Sequence, residues 1–260
     1  MNKVFNLYAK YYDLLYKDKD YFGESLYISK LIERFRPNSK SILDLGCGTG
    51  RHDIIFAENG FQVTGVELSE RMIEQANFNK SKAGFISDLN FIHHDIRNLK
   101  LNKKFDIVIS LFHVISYQSS NSDLKKAILT AKEHLKEDGL FIFDFWYGPA
   151  VLTERPEKRF KLLEDEEIKV ERFADPVLRI NDNIVDVNYT VNIFDKAKMI
   201  QNEIQETHSM RYLFIPEIKI LLDEMNMGVI HFEEWMTSEI PDENSWSALV
   251  IAGNRSKTNL

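Results

Sequence analysis

Residues 41–50, SILDLGCGTG, decide the fold. The stretch starts as a short apolar run carrying one acid, Asp44. It ends in Gly46, Gly48 and Gly50 around Cys47. Apolar residues on consecutive positions mark a strand buried on both faces of a parallel sheet. Glycines directly after such a strand permit a tight turn and let a ligand approach backbone N–H groups. The residues that follow, RHDIIFAENG, read as a helix stopping at Asn59-Gly60. The start of that helix adds a favourable field for a carboxylate.

The same alternation continues on the C-terminal side. Strand candidates are FQVTGVEL (61–68), NFIHHDI (90–96), FDIVISLF (105–112) and GLFIFDF (139–145), with helix-like segments between them. The clearest helix is NSDLKKAILTAKEHLKEDG. Leu124, Ala127, Ile128, Ala131 and Leu135 share one face, Asn121 or Ser122 can cap the start, and Gly139 sits where the helix would end. Alternating strands and helices predict an α/β, Rossmann-like, doubly wound sheet with right-handed crossovers.

The pattern changes after Gly148-Pro149. EIKVERFA, NIVDVNYTVNIF and IQETHSMRYLF favour strands, with turns expected at Asp182-Asn183 and Asp195-Lys196. Residues 149–214 are expected to form an antiparallel β insertion after strand five, serving as a substrate cap or a dimer contact. A helix returns at PEIKILLDEM, and two strands, VIHFEEW (229–235) and SWSALVIAGN (245–254), follow. The expected organisation is a helical lid over 1–30, a core over 31–148 and 215–254, the insertion over 149–214, and a frayed tail at 255–260.

Two acids at later strand ends give the glycine hairpin its meaning. Glu67 ends the second strand, where a carboxylate can accept both hydroxyls of a ribose. Asp95 ends the third, where it can take an adenine amino group. Both lie at carboxyl ends of strands, where open α/β sheets bind ligands. A dinucleotide dehydrogenase would need a glycine where Arg51 stands, and no P-loop string is present.

As a set, ILDLGCGTG, VTGVELSERMIEQA, HHDIRNL and FDIVISLFHVISY resemble the successive motifs of class I S-adenosylmethionine-dependent methyltransferases, over about residues 40–147. The resemblance implies a seven-stranded sheet whose last two strands form an antiparallel hairpin. It implies S-adenosyl-L-methionine as cofactor and S-adenosyl-L-homocysteine as product. It places Gly46, Gly48 and Gly50 under the methionine part and Glu67 on the ribose, with Leu68 and Met72 nearby, and makes Asp44 and Cys47 cofactor-binding residues as well. Asp95 and Ile96 would flank the adenine, and Leu111 and Phe112 would lie beneath the cofactor. A weaker resemblance is to amino-methyltransferases acting on nucleotide-linked deoxyamino sugars, through YAKYYDLLY, KDY and FWYGPAVL. It implies that Tyr12, Tyr16 and Tyr21 close over cofactor and substrate. The chain departs from that subgroup in carrying Tyr117 where a histidine is usual, with His113 four residues earlier.

Methyl transfer is an in-line displacement that needs positioning and exclusion of water; a hydroxyl acceptor also needs a general base. His113, Tyr117 and Asp144 are the catalytic candidates. Trp146, Tyr147, His208, Arg211 and Tyr212 are the substrate-binding ones. Each has a plainer reading as a packed or solvated side chain. Cys47 reads as a small buried thiol rather than a nucleophile. His93, His94 and Asp95 alternate across a strand, so no metal site is expected.

The composition bounds the rest. The chain has 260 residues, 44% of them hydrophobic, and a net charge of −7, which argues against a nucleic-acid partner. Its single cysteine, absent signal peptide and lack of a membrane span point to a cytoplasmic protein. The expectation is a methyltransferase acting on an N or O atom of a small-molecule acceptor, such as a nucleotide-linked sugar, with a homodimer allowed. The alternatives are a methyltransferase acting on protein or nucleic acid, and a non-catalytic cofactor-binding module.

Overall fold

The computed structural model describes residue 11, residues 14–84 and residues 86–255. Two compact units emerge: residues 21–153 with 212–260, and residues 1–20 with 154–211. The elements along the chain begin with α1 (Tyr21–Phe35), β1 (Ser41–Leu45), α2 (Arg51–Glu58), β2 (Gln62–Glu67), α3 (Glu70–Ala83), β3 (Leu89–His93) and β4 (Phe105–Ser110). A 3₁₀ turn (Val114–Tyr117), α4 (Asn121–His134), β5 (Leu135–Tyr147) and α5 (Gly148–Glu154) follow. Next are β6 (Arg159–Glu164), β7 (Ile168–Arg179), β8 (Ile184–Asp195) and β9 (Ile200–Leu213), then α6 (Ile215–Glu224), β10 (Met227–Glu234) and β11 (Ser247–Asn254).

The core sheet runs β3-β2-β1-β4-β5-β11-β10. Its first five strands are parallel, β11 is antiparallel to β5, and β10 is antiparallel to β11. Both faces are covered, which is why the strands read as unbroken apolar runs. On one face Ile42, Ile107, Ile109 and Ile142 pack under Ile28 and Ile32 of α1 and Phe56 of α2. On the other, Leu43, Val108, Phe141 and Phe143 pack with Leu124 and Ile128 of α4 and with Leu222 of α6. The order reverses between β1 and β4, a topological switch point open for a ligand at the strands' carboxyl ends.

Several boundaries differ from the sequence reading. α4 is capped by Ser120, whose Oγ accepts from Asp123 N at 3.0 Å, rather than by Asn121 or Ser122. The helix stops at His134, and Gly139 lies inside β5. The β4–β5 pairing steps from Phe105↔Leu135 to Ile107↔Leu140, so the charged Lys-Glu-Asp-Gly run is absorbed in an irregularity of the strand. A Cβ on Gly139 would stand 3.0 Å from the Asp106 carbonyl oxygen. β3 ends at His93, so Asp95 sits in the turn beyond it.

The second unit is a four-stranded antiparallel meander, β6-β7-β8-β9. It brings the strands among the described residues to eleven. Asn183 supplies the left-handed residue of the β7–β8 turn at φ 56°. Asp195 Oδ1 accepts Lys198 N at 3.0 Å in the β8–β9 turn. β6 is almost wholly exposed, which is why its sequence gives no alternating pattern. The unit's apolar cluster is Ile168, Val170, Val191 and Ile193 with Tyr11. The stretch expected as a lid over 1–30 is therefore divided: Tyr11 and Tyr16 belong to the second unit, whereas Tyr21 opens a core helix. Among the described residues no helix is long and apolar enough to cross a membrane.

Candidate cofactor and active site

β1 delivers the chain into the hairpin at a fully buried level. Gly46 N and Cys47 N both donate to Val66 O, at 2.8 and 3.0 Å, and Gly50 N donates to Cys47 O at 2.9 Å. Gly46 stands at φ 108°, and a Cβ on it would lie 2.5 Å from Val114 Cγ2. Glycine is needed here for both conformation and space. Gly46→Ala is accordingly expected to cost roughly 2–5 kcal/mol, from the left-handed backbone plus overpacking, read as a shift in a urea unfolding midpoint. α2 begins at Gly50 with no side-chain cap. The N–H groups of its first turn therefore lack the usual side-chain acceptor and suit a carboxylate.

Glu67 ends β2 and ties the two loops together. Its Oε2 accepts Gly48 N at 3.1 Å and its Oε1 accepts Ser69 N at 2.9 Å. Each oxygen keeps a lone pair for a further donor, and the two are held at a fixed spacing that suits a vicinal diol. Leu68 beside it is exposed, Met72 is half-buried in the first turn of α3, and Ile96 is buried. Asp95 is engaged by Arg97, whose NH2 group lies 2.6 Å from Oδ2, and that guanidinium holds its carboxyl below the usual range. An adenine amino group would share this carboxylate with Arg97. Tyr21 lies over α2, its ring 4.9 Å from His52 and 5.2 Å from the Arg51 guanidinium.

The turn after β4 carries the other half of the site. Phe112 and His113 are consecutive left-handed residues, at φ 62° and 63°. Such strain persists only when the surroundings hold it, and it concentrates at functional positions. Asp144 is what holds it. Both its oxygens accept His113 N at 3.2 Å, and Oδ2 stands 2.7 Å from the ring Nδ1. Asp144 is 1% exposed at its side chain and His113 22%, so the imidazole is backed by a buried acid and retains solvent access. The Trp146 ring lies 6.3 Å from His113, and Trp146 N donates to Ser116 Oγ at 3.0 Å. Leu111 is buried and Phe112 is 37% exposed. Val114 touches the hairpin beneath Gly46, so this turn and the glycine hairpin are direct neighbours.

The remaining candidates fall elsewhere. Tyr117 closes the 3₁₀ turn and is half-exposed, and Tyr147 is half-buried at the end of β5. Tyr212 is fully buried, paired in the core with Trp146. His208 and Arg211 lie on β9 in the second unit, His208 with its ring 5.1 Å from Tyr189. Tyr16 is in that unit too, and burial first of all, with nearby Tyr189 and Glu206, raises its hydroxyl pKa. Tyr12 lies outside the described residues. Among the described residues no cluster of three or more metal-ligating side chains occurs.

Two features escaped the sequence. Asp53, in the first turn of α2, is fully buried beside the buried Asp44. Burial is the chief cause that pushes both upward, Asp53 to about 7. A signal existed in Gly65, an isolated glycine inside a strand, which marks a close approach. The Asp53 carboxylate and Cys47 occupy the space its Cβ would fill. The second feature is Glu233 on β10, 1% exposed, which accepts from Tyr27 of α1 and faces His231 Nε2 at 2.6 Å. VIHFEEW gives no sign of a buried acid.

The site thus offers an uncapped helix start, an anchored acid for a diol, buried carboxylates near the hairpin and a strained His–Asp turn against it. These fit a ligand with a carboxylate, a ribose and positive charge. Residues 42–139 match the family model described as a methyltransferase domain. Over 149 residues, 56% of this chain and 60% of the relative, the chain is 31% identical to dTDP-3-amino-3,4,6-trideoxy-alpha-D-glucopyranose N,N-dimethyltransferase of Streptomyces venezuelae. It therefore spans about three-fifths of that relative's length. It is 26% identical to putative methyltransferase YqeM of Bacillus subtilis (strain 168), over 88% of this chain and 90% of the relative. A solved S-adenosylmethionine-dependent methyltransferase from Clostridium acetobutylicum ATCC 824 shares the fold at TM-score 0.82 and 22% identity, covering 98% of this chain and all of that one. Residues 42–139 thus resemble a methyltransferase domain, and the chain shares its fold with a solved S-adenosylmethionine-dependent methyltransferase.

Proposed function

We propose that this protein methylates the nitrogen of a small-molecule amine, an amino sugar carried on a nucleotide. The observation that carries the catalytic part is the His113–Asp144 contact on the strained turn beside the glycine hairpin. The acceptor class is supported by the 31% identity to a dimethyltransferase named for a dTDP-linked amino sugar. When bound, S-adenosylmethionine supplies a methyl group on a sulfonium, which an acceptor lone pair can displace in line. The chain's part is to hold both partners and to manage one proton. Asp144 Oδ2 stands 2.7 Å from His113 Nδ1 without hydrogen-bond alignment, and a proton placed on Nδ1 would leave Nε2 as the ring's acceptor. Nε2 can take the proton that an acceptor ammonium must lose before its nitrogen lone pair can attack. Trp146 beside the imidazole, in ring contact with Trp246 at 5.7 Å, limits water there.

The same His–Asp pair is also what a hydroxyl acceptor needs, which makes O-methylation the second reading. A direct test measures S-adenosylhomocysteine formed with a dTDP-linked amino sugar and with the matching hydroxy sugar. The expected result is turnover with the amine at least about tenfold above the hydroxy compound, about 1.4 kcal/mol in the barrier. Turnover of the hydroxy sugar alone would move the acceptor to oxygen. Turnover of neither would remove the sugar reading.

A further inference from the structure

The carboxyls of Asp44 and Asp53 meet where neither is solvated. Asp44 is 2% exposed and Asp53 wholly buried. Asp44 Oδ1 and both oxygens of Asp53 find no hydrogen-bond donor among the described residues. Two ionised carboxylates cannot share such a place, whereas one acid and one carboxylate can, with a single proton between them. The groups that press on Asp44 are acids: Asp53, Glu67 of β2 and Asp144 of β5. The hairpin adds the Cys47 thiol, itself raised by burial and by Asp53, Asp44 and Glu67. The nearest imidazole on α2, His52, is turned to Glu24 of α1 at 2.7 Å. His113 is engaged with Asp144.

The pair lies at the foot of the hairpin, between β1, β2 and the first turn of α2. Asp44 is opposite Gly65 in the sheet register, and the missing side chain of Gly65 leaves room for Asp53. We propose that Asp44 and Asp53 hold one proton between them in the cofactor-free protein, and that binding of S-adenosylmethionine, with its ammonium and sulfonium charges, releases that proton to solvent. The inference rests on the cofactor assignment above. The balance is simple: the pair passes from one negative charge to two, the proton goes to buffer, and the cofactor's net positive charge compensates. S-adenosylhomocysteine lacks the sulfonium charge and should release less. Cofactor affinity should then rise with pH, by at most about tenfold per unit, while the pair is half-protonated.

Calorimetry of S-adenosylmethionine binding in two buffers of different ionisation enthalpy, at pH 6 and pH 8, tests this. The expected result is release of up to about one proton at pH 6, little at pH 8, and a smaller release with S-adenosylhomocysteine. Asp53→Asn should bind the cofactor with the release largely abolished. Binding without buffer dependence in the wild type, or full release retained in Asp53→Asn, would overturn the proposal. Absence of binding would instead remove the cofactor assignment. A thermal melt separates a folding defect. The folded pair titrates above its unfolded range, so wild-type stability falls as pH rises through that window, and Asp53→Asn should gain Tm at pH 8 relative to pH 5. If Asp53→Asn fails to fold, His113→Asn takes its place: persistence of the release supports the pair, and its loss assigns the proton to the imidazole.

Discussion

Glu67→Ala is expected to weaken S-adenosylmethionine binding by at least about a hundredfold while leaving the protein folded. The carboxylate is already half used, by Gly48 N at 3.1 Å and Ser69 N at 2.9 Å. Those two bonds fix its plane, so the remaining lone pairs meet a ribose at no orientational cost. Hydrogen bonds to a charged acceptor contribute about 1.5–3 kcal/mol each, and two hydroxyls would be lost. The sum, roughly 3–6 kcal/mol, corresponds to two to four decades in Kd. Glu67→Gln should be nearly as damaging, because one amide position would turn a donor toward a backbone N–H. Calorimetric titration with S-adenosylmethionine is the measurement, and a Kd within about threefold of wild type would rule out the ribose role.

His113→Ala is the second large effect, and it should fall on turnover alone. General base catalysis is typically worth about 10²–10⁴-fold, and kcat should drop within that range while cofactor Kd stays within about threefold. Asp144→Asn should slow turnover as well, and it should also lower stability. The reason is that Asp144 accepts the backbone N–H of His113 with both oxygens at 3.2 Å, supporting two consecutive left-handed residues. A split result is informative. If His113→Ala keeps wild-type turnover while Asp144→Asn loses it, Asp144 acts by shaping the turn and the imidazole is only a packed ring.

How the sequence relates to the structure is clearest at single residues. The left-handed turns at Gly46, Gly48 and Gly50 and the place of Glu67 at the end of β2 were legible because they are local features. A positive φ after a strand, and an acid at a strand's end, follow from positions a few residues apart. Asp95 was assigned to a strand end but stands two residues past β3, since a strand's stop depends on where its neighbour stops pairing. The cap of α4 moved to Ser120, a neighbouring residue of the same hydrogen-bonding competence as those expected. The tyrosines near the start were expected to cover the cofactor. Among them, Tyr11 joins the apolar cluster of the second unit, a contact with residues more than 150 positions away that no local pattern encodes.

The sequence by itself determined the alternating core, its cofactor hairpin and the antiparallel character of the insertion, because hydrophobic period and turn chemistry are properties of neighbours along the chain. Only the tertiary structure decided the rest. It brought Asp53 against Asp44, set His113 on Asp144 and buried Glu233 beneath Tyr27. An ionisable residue has the same local signature whether it faces water or another acid. What it does is fixed by which distant elements close over it, and by whether they bring a donor, a base or nothing but hydrocarbon.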